Sequence, residues 1–370
     1  MKEHYDVAII GGGIIGMSAA YHLAKAGKRV AVLEANEVGK KTTSAAAGML
    51  GAHAEGEGDE DIFFQVGRAS QELYEKLTVD LQHESGIDIR KSAGGIMKVA
   101  FTEEEKNALC RMQHLSTFQW LEANRVKERL PQITDDIIGA GLIEDDVHVE
   151  PYLVCRALWQ AAVRYGAVVQ EFTPVIEVKR DKEALTVKTT SGTLTCRDLT
   201  VASGVWSGRF FEELGLSHSL YPVKGECVSV WNSGPALKHT IYHEHCYIVQ
   251  RDSGKLVIGA TMKPDDWQTV PTLGGVEAVI QKAAQLMPSI KEMAIDQCWA
   301  GLRPATSDKH PYIGRHPEDE RILFASGHYR NGILLAPITG EIIRDLIINQ
   351  HVKEEWLHAF RIGRKEASLV

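Results

Sequence analysis

Tyr5–Ile10 reads YDVAII, Gly11–Gly16 reads GGGIIG, Met17–Ala26 reads MSAAYHLAKA, and Arg29–Glu34 reads RVAVLE. An apolar run of strand length, a glycine turn, a stretch with helical spacing and a second apolar run ending on an acid make a strand–helix–strand unit. Each part has a job in a dinucleotide site. Gly11 makes the tight turn, Gly13 lets the backbone approach a pyrophosphate, and Gly16 lets the helix pack against the strand. The helix N-terminus offers N–H groups and a positive dipole end to phosphates. Glu34 lies eighteen residues past Gly16, where a carboxylate accepts from both ribose hydroxyls of an adenosine. A 2′-phosphate would be repelled there, which favours FAD or NAD over NADP.

With 370 residues, 44% hydrophobic and 24% charged, the chain suits one large or two interwoven globular domains. A net charge of −8 and no long basic run point away from nucleic acid and anionic membranes. Met1 leads almost at once into the first strand and the chain ends ASLV. The expectation is therefore a cytoplasmic protein without signal peptide, membrane span or peroxisomal address. Six scattered cysteines form no CxxC, so buried reduced thiols are expected and no metal.

After Glu34, the small and hydroxyl-rich run Thr42–Leu50, TTSAAAGML, suits close approach to a ligand; a helix N-cap at Ser44 is the alternative. Phe63–His83 has helical periodicity, Asp88–Phe101 alternates like a strand pair, and Thr102 with Glu105 forms a capping box. Glu150–Gly166 reads as a helix with Pro at its start and Gly at its end. Alternating strands follow to Leu199–Gly204. Val223–Trp231, Thr240–Arg251 and Lys255–Thr261 read as strands of an antiparallel sheet with one helix near Val276–Met287. Arg321–Ser326, a glycine turn and a helix over Gly332–Asn349 repeat the opening pattern. His243 and His245, as H-x-H, are expected on one strand face, with a metal as the lesser reading.

The segments GGGIIG, TTSAAAGML, VHVEPY, VASGVW, PVKGE, HCYIV, AGLRP, GHYRNGILLAP and EWLHAFRI occur in order along the chain. Together they resemble the D-amino-acid-oxidase family of FAD enzymes, most closely its bacillus-type, glycine-oxidising branch. The resemblance implies an α/β fold: a Rossmann-like FAD-binding domain (1–85, 150–217 and 311–370) interwoven with an α+β substrate domain on an antiparallel sheet (86–149 and 218–310). It implies non-covalent FAD held by Gly11, Gly13, Ile14, Ile15, Gly16, Glu34, Ala35, Thr42, Thr43, Ala47, Gly48, Met49 and Val175, with His328, Tyr329, Arg330, Asn331, Gly332, Ile333 and Leu334 covering the flavin. Tyr247, Arg303 and Arg330 would hold the substrate, with Met262 and His245 near it.

The implied reaction is oxidative deamination of glycine to the imine and glyoxylate, with ammonia and hydrogen peroxide, supplying dehydroglycine for thiamin thiazole synthesis. A hydride passes to the flavin and no acid or base side chain is required. Oxygen is the acceptor, and a homotetramer is implied. Sarcosine or small D-amino acids are the alternative substrates, and an NAD-dependent dehydrogenase is the remote alternative. No cysteine for covalent flavin attachment occurs in Leu302–Pro317, LRPATSDKHPYIGRHP. An arginine at Arg303 is costly without an anion, whether a substrate carboxylate or one of the protein's own acids. Tyr247 reads as part of a carboxylate clamp or as a core aromatic.

Overall fold

The computed structural model describes residues 3–55, 61–217 and 220–364; the expectations at Met1 and the terminal ASLV lie outside them. His4–Ile10 is a strand with five buried residues, paired in parallel with Val30–Leu33 on one side and Gly192–Val201 on the other. Ile14–Lys25 is the intervening helix. It stops because Gly27 takes a left-handed φ of 80°, letting Lys28 N–H reach back to the Leu23 carbonyl, the usual glycine-terminated end. The main path of an eight-stranded sheet runs Tyr312–Arg315, Ile322–Ser326, Gly192–Val201, His4–Ile10, Val30–Leu33, Val168–Gln170, parallel except at its first pair, and Leu185–Thr189 pairs antiparallel with both Gly192–Val201 and Val175–Arg180. Chain from both ends and the middle thus builds one sheet with a parallel centre.

Four helices, Ile14–Lys25, Ile62–Ser85, Pro151–Arg164 and Gly332–Ile347, pack together and bury the larger apolar core on one face. The other face is covered by Val175–Arg180, Leu185–Thr189 and the helix Ser207–Glu213, around Phe211 stacked on Phe324 at 4.3 Å. A second sheet of nine strands draws on two stretches of chain. Ile96–Ala100, Phe118–Glu122 and Gly139–Ile143 join strands between Tyr221 and Ala305. Its pairs are antiparallel apart from Thr240–His243 beside Ile96–Ala100.

Several local expectations need correction. Asp88–Phe101 supplies one strand, Ile96–Ala100, because Gly95 sits at φ 77°, where a Cβ would lie 2.7 Å from the Ile143 carbonyl oxygen, so the chain cannot run straight into it. Leu199–Gly204 is no separate strand but the end of Gly192–Val201. Thr240–Arg251 is a hairpin of Thr240–His243 and Cys246–Gln250, turning at Glu244 (φ 49°) and His245. His243 and His245 therefore do not share a strand face: His243 Nε2 lies 3.1 Å from Glu105 Oε1, whereas His245 faces the cavity described below. The Thr102–Glu105 capping box forms with both of its hydrogen bonds.

Candidate active site

A cavity of about 720 Å³ runs between the two sheets, within the usual size of a cofactor or small-molecule site. One end is built on the opening turn. A Cβ on Gly11 would lie 2.5 Å from the Ala202 carbonyl oxygen, and one on Gly16 would lie 2.0 Å from the Gly11 carbonyl oxygen. Both positions exclude any larger residue because backbone passes there. Gly13 differs: a Cβ would meet only Thr43 Oγ1, at 3.5 Å, and the residue lines the cavity. The space above it is open to a ligand.

Thr42–Ala45 is a short helix, and its hydroxyls brace this end. Thr43 Oγ1 accepts from Ile14 N–H at 3.0 Å, and Thr42 Oγ1 donates to the Leu302 carbonyl at 2.8 Å, tying the opening turn to the second sheet. Ser44 Oγ donates to the Lys41 carbonyl. Glu34 closes the end of its strand: Oε2 accepts from Gly12 N–H at 2.6 Å and Oε1 from Asn36 N–H at 2.8 Å. A carboxylate so oriented carries acceptor capacity to the cavity edge.

At the other end the strands Tyr221–Trp231 and Ile295–Ala305 pair along their length. Arg303 stands inside the second of them. Its guanidinium lies over Gly225, where a Cβ would sit 2.4 Å from Nη2, and its Nη1 donates to the Thr261 carbonyl at 3.1 Å. No described carboxylate pairs with it within 4 Å, so none of the described acids neutralises this cation. Tyr247 is buried with its hydroxyl 3.3 Å from Cys227 Sγ, and burial pushes both groups up, keeping phenol and thiol protonated. Arg330 Nη2 donates to the Tyr242 hydroxyl at 2.8 Å, and Nη1 lies 3.5 Å from His245 Nδ1.

Every residue expected to line the site does so, except Gly16 and Leu334. Gly16 supports the turn from behind. Leu334 is 3% exposed in the helix core, its carbonyl accepting from Ser70 Oγ at 2.6 Å. His328 lines the cavity and is buried; its Nε2 lies 3.0 Å from Thr339 Oγ1, and burial holds its pKa down at about 3, so the ring is neutral. The helix Gly332–Ile347 begins at the cavity wall, aiming a positive dipole end into it. Cys227, Ala260, Trp206 and Trp267 also line the cavity. Sequence reading missed them: they stand in ordinary strand or loop context, and only the strand partners reveal that Cys227 alternates onto the cavity face with Gly225.

These residues fit FAD. The glycine turn and the uncapped Gly13 position suit a pyrophosphate, and Glu34 suits a ribose. The long cavity reaches from there to a protonated phenol and an arginine with no carboxylate partner among the described residues. Among the described residues no group of three or more His, Cys, Asp or Glu is placed to hold a metal, and no helix is long and apolar enough to cross a membrane.

Comparison with known proteins agrees with this geometry. The family model for FAD dependent oxidoreductases (DAO) matches residues 6–346. A glycine oxidase of Bacillus licheniformis is 56% identical over 367 residues, 99% of each chain. The crystal structure of glycine oxidase from Geobacillus kaustophilus superposes with a TM-score of 0.94 at 37% identity, over 99% of this chain and 100% of that one. A bifunctional protein ThiO/ThiG of Synechocystis is 33% identical over 97% of this chain, which spans 54% of that protein. The chain belongs to the DAO family of FAD dependent oxidoreductases.

Proposed function

We propose that this FAD enzyme oxidises glycine to its imine, which water converts to glyoxylate and ammonia, while oxygen is reduced to hydrogen peroxide. One observation carries the reading: a half-buried arginine, Arg303, faces the cavity beside a buried tyrosine with no described carboxylate to neutralise it. An amino-acid carboxylate supplies the missing anion, and the fork of Arg303 takes it in a bidentate pair worth roughly 1.5–3 kcal/mol net. The glycine oxidases among the relatives, 56% identical, support the choice of substrate. The relationship to ThiO/ThiG supports the imine as a precursor for thiazole synthesis.

When bound, FAD supplies the two-electron acceptor. The protein's part is orientation and electrostatics. Arg303 and Tyr247 pin the substrate carboxylate, Arg330 closes over it from the Tyr242 side, and Met262 and His245 line the remaining wall. Neutral His328 adds no charge, and the dipole of the helix Gly332–Ile347 acts on negative charge arising at its amino end. Non-covalent attachment is supported by the absence of cysteine from Leu302–Pro317.

Sheet membership supports dividing the chain into an FAD-binding part (1–85, 150–217, 311–370) and a substrate part (86–149, 218–310). Six free thiols support a reducing, cytoplasmic setting, and the family resemblance supports a homotetramer. Light scattering should then give a mass near four times 40.9 kDa.

The central test is to add glycine to the flavin-loaded protein. Flavin absorbance should bleach without air, and peroxide should appear under air. Sarcosine, D-alanine and D-proline measured alongside rank the substrates. Neither bleaching nor peroxide with glycine would overturn the reading.

A further inference from the structure

Gly225 and Cys227 of the strand Tyr221–Trp231 face the cavity, and alternation turns Lys224 and Glu226 to the opposite side. Both of those charged side chains are fully buried. Lys224 Nζ lies 3.4 Å from Glu226 Oε1 and 3.3 Å from Asp266 Oδ2. A buried ion pair is weak evidence of stabilisation, since apolar replacements of similar volume are often neutral or better.

The contacts of Glu226 show what it does. It grips Thr261 three times: its N–H donates to Thr261 Oγ1 at 2.9 Å, its carbonyl accepts from Thr261 N–H at 3.3 Å, and its Oε2 accepts from the Thr261 hydroxyl at 3.0 Å. The same carboxylate accepts from Lys263 Nζ at 2.8 Å and, through Oε1, from the N–H and hydroxyl of Thr272 at 2.7 and 2.9 Å. Both ends of the loop between Thr261 and Thr272 are therefore tied to one buried group. The Thr261 carbonyl is the acceptor of Arg303 Nη1.

We propose that Glu226 is a positioning residue for the substrate clamp: by fixing Thr261, it holds the Arg303 guanidinium in the one orientation, flat over Gly225, that receives a substrate carboxylate. This rests on reading Arg303 as the carboxylate anchor. A long arginine side chain otherwise loses rotamer freedom each time it binds. Paid in advance by Thr261 and Gly225, that loss no longer weakens binding.

The test uses the FAD-loaded enzyme, with glycolate affinity read from the flavin spectrum and glycine KM and kcat from peroxide release. Glu226→Gln keeps the shape and removes the charge; Thr261→Val removes only the hydroxyl, and Thr261→Ser retains it. Glu226→Gln and Thr261→Val should each raise glycolate Kd and glycine KM roughly five- to tenfold, where tenfold is about 1.4 kcal/mol. Flavin content should be unchanged and kcat within about twofold, and Thr261→Ser should restore wild-type values. Combined with Arg303→Lys, Glu226→Gln should add nothing further, as expected of residues acting through one another.

Additive effects would make Glu226 merely structural and overturn the proposal. So would an unchanged KM in Glu226→Gln when Arg303→Lys alone raises it; the anchor reading then stands. An unchanged KM in Arg303→Lys would instead sink the anchor reading itself. If Glu226→Gln does not fold, Thr261→Val decides alone.

Discussion

Arg303 shows how far a single residue can be read from sequence. Its type announced an anion, because a guanidinium inside a strand is costly without one, but sequence left open whether the anion was internal. The structure removes the described internal candidates, since among the described residues the guanidinium donates to the Thr261 carbonyl and no carboxylate lies within 4 Å of it. Thr261 and Glu226 were illegible because they act through contacts 35 and 42 positions apart in the chain, and neither has a local signature. Arg303→Ala should weaken glycine and glycolate at least tenfold, about 1.4 kcal/mol, with FAD retained. Isothermal titration of glycolate decides it, and unchanged affinity would show that the clamp is misassigned. Glu34 behaves differently. Its carboxylate accepts from Gly12 and Asn36 N–H groups, so Glu34→Ala unties the turn as well as removing a ribose acceptor. Flavin content after dialysis should drop, and full retention would contradict the ribose role.

At the scale of elements, the opening strand, turn and helix could be read closely because their chemistry is local: three glycines, a helical period and an acid lie within thirty residues. The hairpin at Glu244–His245 was missed because two-residue turns are normally announced by glycine or asparagine. Here a glutamate takes the left-handed conformation, φ 49°. The glycines of the opening turn separate two kinds of constraint. Gly16→Ala should destabilise the folded protein by about 1–3 kcal/mol, since the new methyl meets the Gly11 carbonyl and neither backbone can retreat. Gly13→Ala meets only a hydroxyl at 3.5 Å, so the flavin-free protein should melt within a few degrees of wild type. Its FAD affinity should nevertheless fall at least tenfold, because the methyl occupies cavity space. Melting curves with and without FAD compare the two. Tight FAD binding by Gly13→Ala would mean that the pyrophosphate lies elsewhere.

The molecule as a whole stores an acid sensitivity that no stretch of sequence reveals. Burial holds His22 at about 3, with Arg344 and Lys25 adding to it; burial with Arg251 nearby holds His148 at about 4, and burial alone holds His328 at about 3. All three stay neutral in the folded protein well below the ordinary histidine value near 6.5. The unfolded chain takes up protons there, so unfolding binds up to three more protons between pH 6.5 and about 4. Stability therefore rises with pH across that window and is lost as pH falls, by about 1.4 kcal/mol per pH unit for each proton. Above pH 7 the three contribute nothing to the slope. Glu226 has the opposite charge type but the same sign: burial opposes its ionisation, Lys263 and Thr272 outweigh that, and its pKa of about 2 extends the loss below pH 4.5. Urea midpoints should be level from pH 8 to 7 and fall steeply from 6 to 4.5, and His148→Gln should reduce that slope by up to one proton's share, about 1.4 kcal/mol per pH unit. His328 lines the cavity and bonds Thr339, so flavin fluorescence should appear in step with unfolding, because protonating this ring disrupts the site and the core together. A urea midpoint that stays constant down to pH 4.5 would mean that these rings are already charged or already hydrated in the native protein.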